Sequence, residues 1–566
     1  MSPSTKTERA TNCAEHAVAA RPIRFLLDGQ LHEVPLTVAP TRTVLNYLRE
    51  DLGRCGSKEG CAEGDCGACT VVLAEPADDD ERAAGVAPLR YRAINACIQF
   101  LPAIDGKALI TIENLQLQGG DPHPAPHPAP HPVLHPVPHP VQQAMIDAHG
   151  SQCGFCTPGF VMSLFALYKT QPNPDREAIN QALSGNLCRC TGYRPIIEAG
   201  LDMARLGAQL PESALDWLSA PASRAAATAD ASTQAVRARL QALQQAAPLH
   251  LSHSEGDFHA PQSLPALLAL RAALPQARLL AGSTDVGLWV TKQHRDLGSL
   301  IYLGRVPELQ RIAQSDGWLE IGAAVSLSDA MPVLLQHYPS LQAVLERFAS
   351  TPIRNAATLG GNIANGSPIG DSMPALIAIG ASVVLRSQSA SRELPLEAFY
   401  LDYQKTALQA DEVLACVRIP LPGTDGGLQQ HVASYKVSRR FEQDISAVCA
   451  GFSLWLEQGR VQSARIAFGG MAATPRRAAG CEAALQGLRW HRDTSLDAAC
   501  AALAADYTPL TDLRATAHYR QLVAGNLLRR FLLETTAAGA ATSAETEAAD
   551  GVQPVLSLYR WNAVSA

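Results

Sequence analysis

The sequence predicts a multidomain α+β protein, and three observations carry that prediction. The chain has 566 residues, which suits three or four domains rather than one. Its hydrophobic pattern changes along the chain, from a hairpin signal through four short helical segments to a long mixed α/β stretch. Two compositionally biased segments punctuate those changes. With 47% hydrophobic and 17% charged residues, sizeable cores can be buried.

Residues 22–116 read as a small β-grasp unit. Ile23 to Leu27, the Asp28-Gly29 turn and Leu31 to Val38 give a hairpin signal. A helix follows with Val44, Leu45, Leu48 and Leu52 on one face and Gly53 at its end. Strands Thr70–Leu73 and Leu109–Ile112 complete the unit. Residues 117–140 carry His-Pro pairs at His123, His127, His131, His135 and His139 and read as a polyproline linker. A histidine metal site is the sharper alternative, but a spacing of four turns each histidine about 120° from the last. Residues 141–210 predict a four-helix bundle: Gln142–His149, Gly159–Lys169, Asp175–Leu183 and a helix from about Pro195 to Gly207. Residues 211–257 read as an alanine-rich second linker, partly helical. An α/β domain over 258–430, an α+β domain over 431–537 and a tail over 538–566 complete the chain.

Eight of the fourteen cysteines form two sets. Cys61, Cys66 and Cys69 with the distant Cys97 have the plant-type ferredoxin spacing, in which four thiolates hold a 2Fe-2S cluster. Gly56, Gly60, Gly64 and Gly67 let the backbone approach closely there. Cys153, Cys156, Cys188 and Cys190 form the second set, for which spacing alone leaves structural zinc open. Cys55 reads as a bystander, and Cys13, Cys416, Cys449, Cys481 and Cys500 as small apolar residues.

No Gly-x-Gly-x-x-Gly or phosphate-loop motif occurs, so neither a Rossmann nor a phosphate-loop site can be argued, and the α/β domain is expected to be non-Rossmann. It does contain Leu279-Leu280-Ala281-Gly282-Ser283-Thr284-Asp285-Val286-Gly287 and Thr358-Leu359-Gly360-Gly361-Asn362. Small residues after an apolar strand let amides and hydroxyls reach a pyrophosphate, although such loops are more often plain turns.

The strings Gly150-Ser151-Gln152-Cys153-Gly154-Phe155-Cys156-Thr157-Pro158-Gly159 and Asn186-Leu187-Cys188-Arg189-Cys190-Thr191-Gly192-Tyr193-Arg194-Pro195 closely resemble the helical 2Fe-2S domain of the molybdenum hydroxylases, xanthine dehydrogenases above all. The first cysteine loop, with Asn95-Ala96-Cys97, is similar to the same family's ferredoxin-like domain. The resemblance covers roughly residues 22–535. It implies that both cysteine sets hold 2Fe-2S clusters and that both glycine loops hold FAD. It also places Phe348 on the flavin side and Asp371, Leu414 and Lys436 in contact with the cofactor. Residues 431–537 would be a CO-dehydrogenase-flavoprotein-like C-terminal domain. Lys436 to Ile445 resembles the loop near the nucleotide, with a solvated surface pair as the other reading of Arg439 and Arg440.

The resemblance further implies an electron-transfer subunit with no catalytic residue of its own. It would pass electrons from a large molybdopterin-binding subunit to FAD and NAD, in an assembly of two small and two large chains. No room remains in these domains for the molybdenum cofactor. An equivalent subunit acting with an aldehyde or N-heterocycle hydroxylase, or a non-catalytic flavoprotein, stays open. The net charge of −7 speaks against nucleic acid. The longest apolar stretch, Met373 to Leu385, is too short for a membrane span. Met1 to Arg21 lacks an apolar signal region, and cysteine abundance without one predicts a reducing, cytoplasmic setting.

Overall fold

The computed structural model describes residues 19–78, 87–117, 137–225, 231–423 and 428–541. The chain divides into two compact units. The first takes residues 1–267, 276–306 and 351–353, and the second takes 268–275, 307–350 and 354–566.

In the first unit, β1 (Ile23–Leu27) and β2 (Gln30–Val34) form the expected hairpin. Asp28 and Gly29 both take positive φ, 56° and 70°, the turn geometry that matches strand twist. With β3 (Thr70–Pro76), β4 (Leu89–Asn95) and β5 (Ala108–Ile110) they make one sheet, ordered β2-β1-β5-β3-β4. Only β1 and β5 are parallel in it. A two-residue pairing of β6 (Gln116–Leu117) with β7 (Val137–Pro138) brackets the His-Pro segment.

The four helices follow as Pro140–Asp147, Thr157–Thr170, Arg176–Leu183 and Arg194–Ala208. They share one hydrophobic core with the sheet, in which Val72, Ala74 and Tyr91 join Phe160, Phe165 and Met203. His139 departs from the linker reading. It is 1% exposed, caps the first helix by accepting from Val141 N (3.2 Å), and packs edge-on against Phe165 and Tyr168. The other four His-Pro histidines lie outside the described residues.

Residues 211–257 also differ from a free linker. Helix Ala231–Gln244 buries Val236 and Leu240 in that same core, and the Trp217 carbonyl accepts from Tyr91 Oη (2.6 Å). The segment ends in β8 (Leu249–Leu251), which pairs with β9 (Phe258–Ala260). β10 (Arg278–Leu280) and β11 (Leu300–Tyr302) complete a sheet ordered β10-β11-β9-β8, parallel except at β8.

The second unit has an antiparallel sheet ordered β12-β13-β18-β14-β15. It comprises β12 (Ile312–Ser315), β13 (Trp318–Gly322), β14 (Ser382–Arg386), β15 (Ser391–Pro395) and β18 (Val413–Pro420). A short pair, β16 (Tyr400–Asp402) and β17 (Lys405–Thr406), is inserted before β18. A meander of β19 (Gln429–Val437), β20 (Val448–Glu457), β21 (Arg460–Gly469) and β22 (Arg476–Arg477) closes the unit. Phe452 and Phe468 of that meander pack with Phe531 of helix Ala517–Ala541, which runs into the expected tail. No helix among the described residues is long and apolar enough to cross a membrane.

Candidate iron-sulfur and flavin sites

The first cysteine loop, between Gly53 and β3, is built on left-handed residues, with Ala62, Gly64 and Gly67 at φ 55°, 83° and 67°. A Cβ on Gly60 would stand 2.8 Å from Cys66 Sγ, so only glycine leaves that sulfur its space. Cys69 and Cys97 are buried, and Cys61 and Cys66 half-buried. In the second set Cys156 is the N-cap of helix Thr157–Thr170, and Tyr193, at φ 70°, caps helix Arg194–Ala208. Cys153 and Cys190 are exposed, and Cys156 and Cys188 half-buried.

The sulfurs interact as neighbours, in a chain in the first set and in two pairs in the second. Cys61 meets Cys66, and Cys69 meets Cys97, with a further contact from Cys61 to Cys97. Cys153 meets Cys190, and Cys156 meets Cys188. Among the described residues no three of them lie within 4.8 Å of one another. One tetrahedral zinc, with Zn–S near about 2.3 Å, would draw all four closer than that. Sulfurs spread further than one ion can gather suit two irons, two thiolates each.

The thiols resist sharing one charge state. Hydrogen bonding from Cys66 and Cys97 draws Cys61 far down, while Cys61 pushes Cys66 and Cys97 far up. The Cys97 contact lowers Cys69 against its burial. Burial, then Cys188, pushes Cys156 up to about 12. At Cys188 burial is outweighed by the Thr191 hydroxyl and N–H, 3.2 and 3.5 Å from the sulfur. Four neighbouring thiolates need a positive core, which an iron cluster supplies. The donor set fits in another respect. The Asn95 amide is 3% exposed, has no well-formed hydrogen bond, and lies close enough to Cys69 to favour its thiolate.

The two loops touch directly. Leu187 N, beside Cys188, donates to the Cys66 carbonyl (3.0 Å). Asn186 Nδ2 donates to the Gly67 carbonyl (3.1 Å), while its Oδ1 accepts from Ser163 Oγ (2.6 Å). A Cβ on Gly67 would sit 2.2 Å from Gly185 O, and one on Gly159 2.1 Å from Gly67 O. Asn186 was visible only as part of a family string, since nothing in its spacing marks it as a clamp.

The first glycine loop follows the C-terminal end of β10, the edge at which parallel sheets receive ligands. Leu280 is buried, and Ala281, Gly282, Thr284, Asp285 and Val286 are half-buried. Ser283 takes φ 63°, and its hydroxyl, on a residue 4% exposed, has no partner in the protein, as a donor reserved for an anion would. Helix Val286–Thr291 then fastens the loop to the first cysteine site. Thr291 Oγ1 donates to the Ala62 carbonyl (2.8 Å), and a Cβ on Gly287 would stand 2.5 Å from Ile98 O, next to Cys97.

The second glycine loop lies in the other unit. Thr358 caps helix Leu359–Asn365 by accepting from Gly361 N (2.9 Å), and Asn362 Oδ1 accepts from Ser372 Oγ (2.5 Å). Gly360 is small for a packing reason, since its Cβ would stand 2.5 Å from Ala323. Phe348 is half-buried and Leu414 5% exposed, both against the core of this unit. Asp371 and Lys436 point their charges at each other, Nζ to Oδ2 2.6 Å, with side chains 5% and 2% exposed. Ser446 Oγ (2.5 Å) holds the other Asp371 oxygen. Their side chains therefore brace this region, and Arg347, which donates to the Lys436 carbonyl (3.0 Å), extends the brace. Arg439 and Arg440 are exposed, as the surface reading has it.

Four domain families match the sequence in order. Residues 26–100 match the 2Fe-2S iron-sulfur cluster binding domain and 131–201 the [2Fe-2S] binding domain. Residues 252–422 match the FAD binding domain in molybdopterin dehydrogenase, and 433–535 the CO dehydrogenase flavoprotein C-terminal domain. The chain belongs to the molybdenum hydroxylase family. A xanthine dehydrogenase from Emericella nidulans is 33% identical over 524 residues, covering 86% of this chain and 36% of the relative. Xanthine dehydrogenase 2 of Arabidopsis thaliana is 34% identical over 528 residues, covering 84% and 36%. The chain thus spans little more than a third of the length of these curated relatives. A solved carbon monoxide dehydrogenase from Hydrogenophaga pseudoflava has 30% identity, covering 48% of this chain and 94% of that one, at a TM-score of 0.45. The chain carries the iron-sulfur and FAD domains of that family, its electron-transfer portion.

Proposed function

We propose that this chain is the small subunit of a xanthine dehydrogenase. It would receive electrons from hypoxanthine and xanthine oxidised at a molybdopterin-binding partner, and deliver them to NAD. Cys61, Cys66, Cys69 and Cys97 would hold one 2Fe-2S cluster, and Cys153, Cys156, Cys188 and Cys190 the other. Ala281–Gly287 and Thr358–Asn362 would hold FAD. Bound there, the clusters supply one-electron steps, and the flavin couples these to a two-electron acceptor.

The observation that supports this most is continuity within the first unit. The Leu187-to-Cys66 hydrogen bond links the two cysteine loops, and Thr291 and Gly287 link the first of them to the Ser283 loop. The two cysteine loops and the Ser283 loop thus belong to one unit, and Cys153 and Cys190, being exposed, would be open to a donor. Two small and two large chains would assemble, in the cytoplasm, where thiolate ligands stay reduced.

The test uses the full chain loaded with iron, sulfide and FAD. NADH should reduce an artificial dye through it, and xanthine should do so only after the partner is added. An inert NADH overturns the NAD assignment, while an aldehyde or N-heterocycle replacing xanthine moves the substrate assignment. Ser283→Ala should weaken FAD binding about tenfold, the value of one hydrogen bond to a charged group. Unchanged affinity would release that loop from its role.

A further inference from the structure

A cluster that the electron path does not use lies at the edge of the β10-β11-β9-β8 sheet. His250 of β8 stands directly opposite His259 of β9, their rings stacked at 4.6 Å between centroids and tilted by only 9°. Asp257 precedes β9, and one ligand atom from each of the three lies within 4.8 Å of the others. All three residues are half-buried. We propose that His250, Asp257 and His259 form a binding site for one divalent transition cation of the zinc class, which clasps the edge strand to its sheet.

Three features carry this. His259 Nε2 is enclosed yet has no hydrogen-bond partner among the described residues, a costly state for a ring nitrogen that a metal bond relieves. The backbone also fixes the place of Asp257 beside the two histidines. Asp257 N donates to Ser299 Oγ (3.1 Å), its carbonyl accepts from Leu300 N (2.8 Å), and Gly256, at φ 128°, has no room for a Cβ against Gly298. Two imidazoles and a carboxylate are a borderline-soft set that suits zinc, cobalt or nickel over calcium or magnesium, and they leave a fourth position for water.

The experiment loads the full chain with clusters and FAD, dialyses it against Zn2+, and counts zinc by elemental analysis beside iron. Asp257→Asn, His259→Gln and the pair His250→Gln/His259→Gln are treated identically. Wild type should retain one zinc more than the double variant, with iron equal in both, and its melting temperature should rise by a few degrees with zinc while the variant's does not. Asp257→Asn, which keeps the shape, should weaken zinc binding about tenfold or more. Histidines elsewhere cancel in the difference. Equal zinc in wild type and variants, or a melting temperature equally indifferent to zinc in all of them, overturns the proposal.

Discussion

The two cysteine sets differ chiefly in depth. Cys69 and Cys97 are buried under the β-grasp sheet, whereas Cys153 and Cys190 stand at the surface, flanked by Phe155 and Leu187, each 49% exposed. One site is largely enclosed by its own protein and the other lies open at the surface. Solvent exposure and hydrogen bonds to sulfur set cluster potentials, so a relay built from similar ligands gains its direction from such asymmetry. Yet the two are not independent modules, because they share a core and their loops are hydrogen-bonded.

The strongest attempt to break the comparison is Cys66→Ser. It should remove the enclosed cluster and half of the iron and sulfide, while the surface cluster's paramagnetic resonance signal persists. The Cys66 carbonyl that holds Leu187 is backbone and survives the change. Loss of both signals would show that the shared core, rather than the separate ligand sets, governs cluster retention.

Asn186→Ala attacks the joint itself. It removes the donor that ties the second loop to the Gly67 carbonyl, which keeps only its own loop's Thr70, and it takes the acceptor from Ser163 Oγ beside a buried cavity, at a cost of about 2 kcal/mol. Denaturant unfolding, followed by bleaching of the clusters, should show both lost together at a lower midpoint. Separate midpoints would mean that the two sites are joined less firmly than their packing implies.

Acid should distinguish the sets through His139. Burial pushes this imidazole down to about 3, so the folded state resists a proton that the unfolded chain accepts near about 6.5. Its contribution is therefore complete above about pH 6.5 and lost progressively as the pH falls towards 3. At pH 5 the helical domain should be about 2 kcal/mol less stable from this residue alone. Thermal melts at pH 7.5 and 5 test it, and His139→Gln should flatten the slope.

His139 also shows where the sequence stopped being informative. In a run of identical His-Pro pairs nothing distinguishes the last, and only the fold makes it a buried cap. Cysteine spacing and glycine placement were legible because cluster chemistry demands them locally. So were the hairpin and the four helices, whose turn and cap residues act within a few positions. Strand β4 was missed although Leu89, Tyr91 and Ala93 alternate inward, because Arg90 and Arg92 make the stretch read as a polar connection. The 211–257 segment was misjudged for the opposite reason, since alanine-rich sequence gives no sign of its partner. Gly360 reads as a ligand-approach residue, and the structure adds a packing reason for its size, Ala323, a contact between positions far apart in sequence.

The finest test of the comparison is Thr191→Val. Thr191 Oγ1 lies 3.2 Å from Cys188 Sγ and accepts from Tyr193 N (3.2 Å), so its own proton is left to point at the sulfur. A hydrogen bond to a cluster thiolate favours the reduced, more negative state, and removing it should lower the surface cluster's potential. One bond of about 1 kcal/mol corresponds to roughly 40 mV for a single electron. The enclosed cluster, whose sulfurs Thr191 does not touch, should move by less than a quarter of that. Redox titration with each paramagnetic signal followed separately gives both values in one experiment. Equal shifts in the two clusters would mean that the whole block responds as one dielectric body. A shift confined to the surface site would show that its potential is set locally, by the loop that carries Cys188 and Thr191.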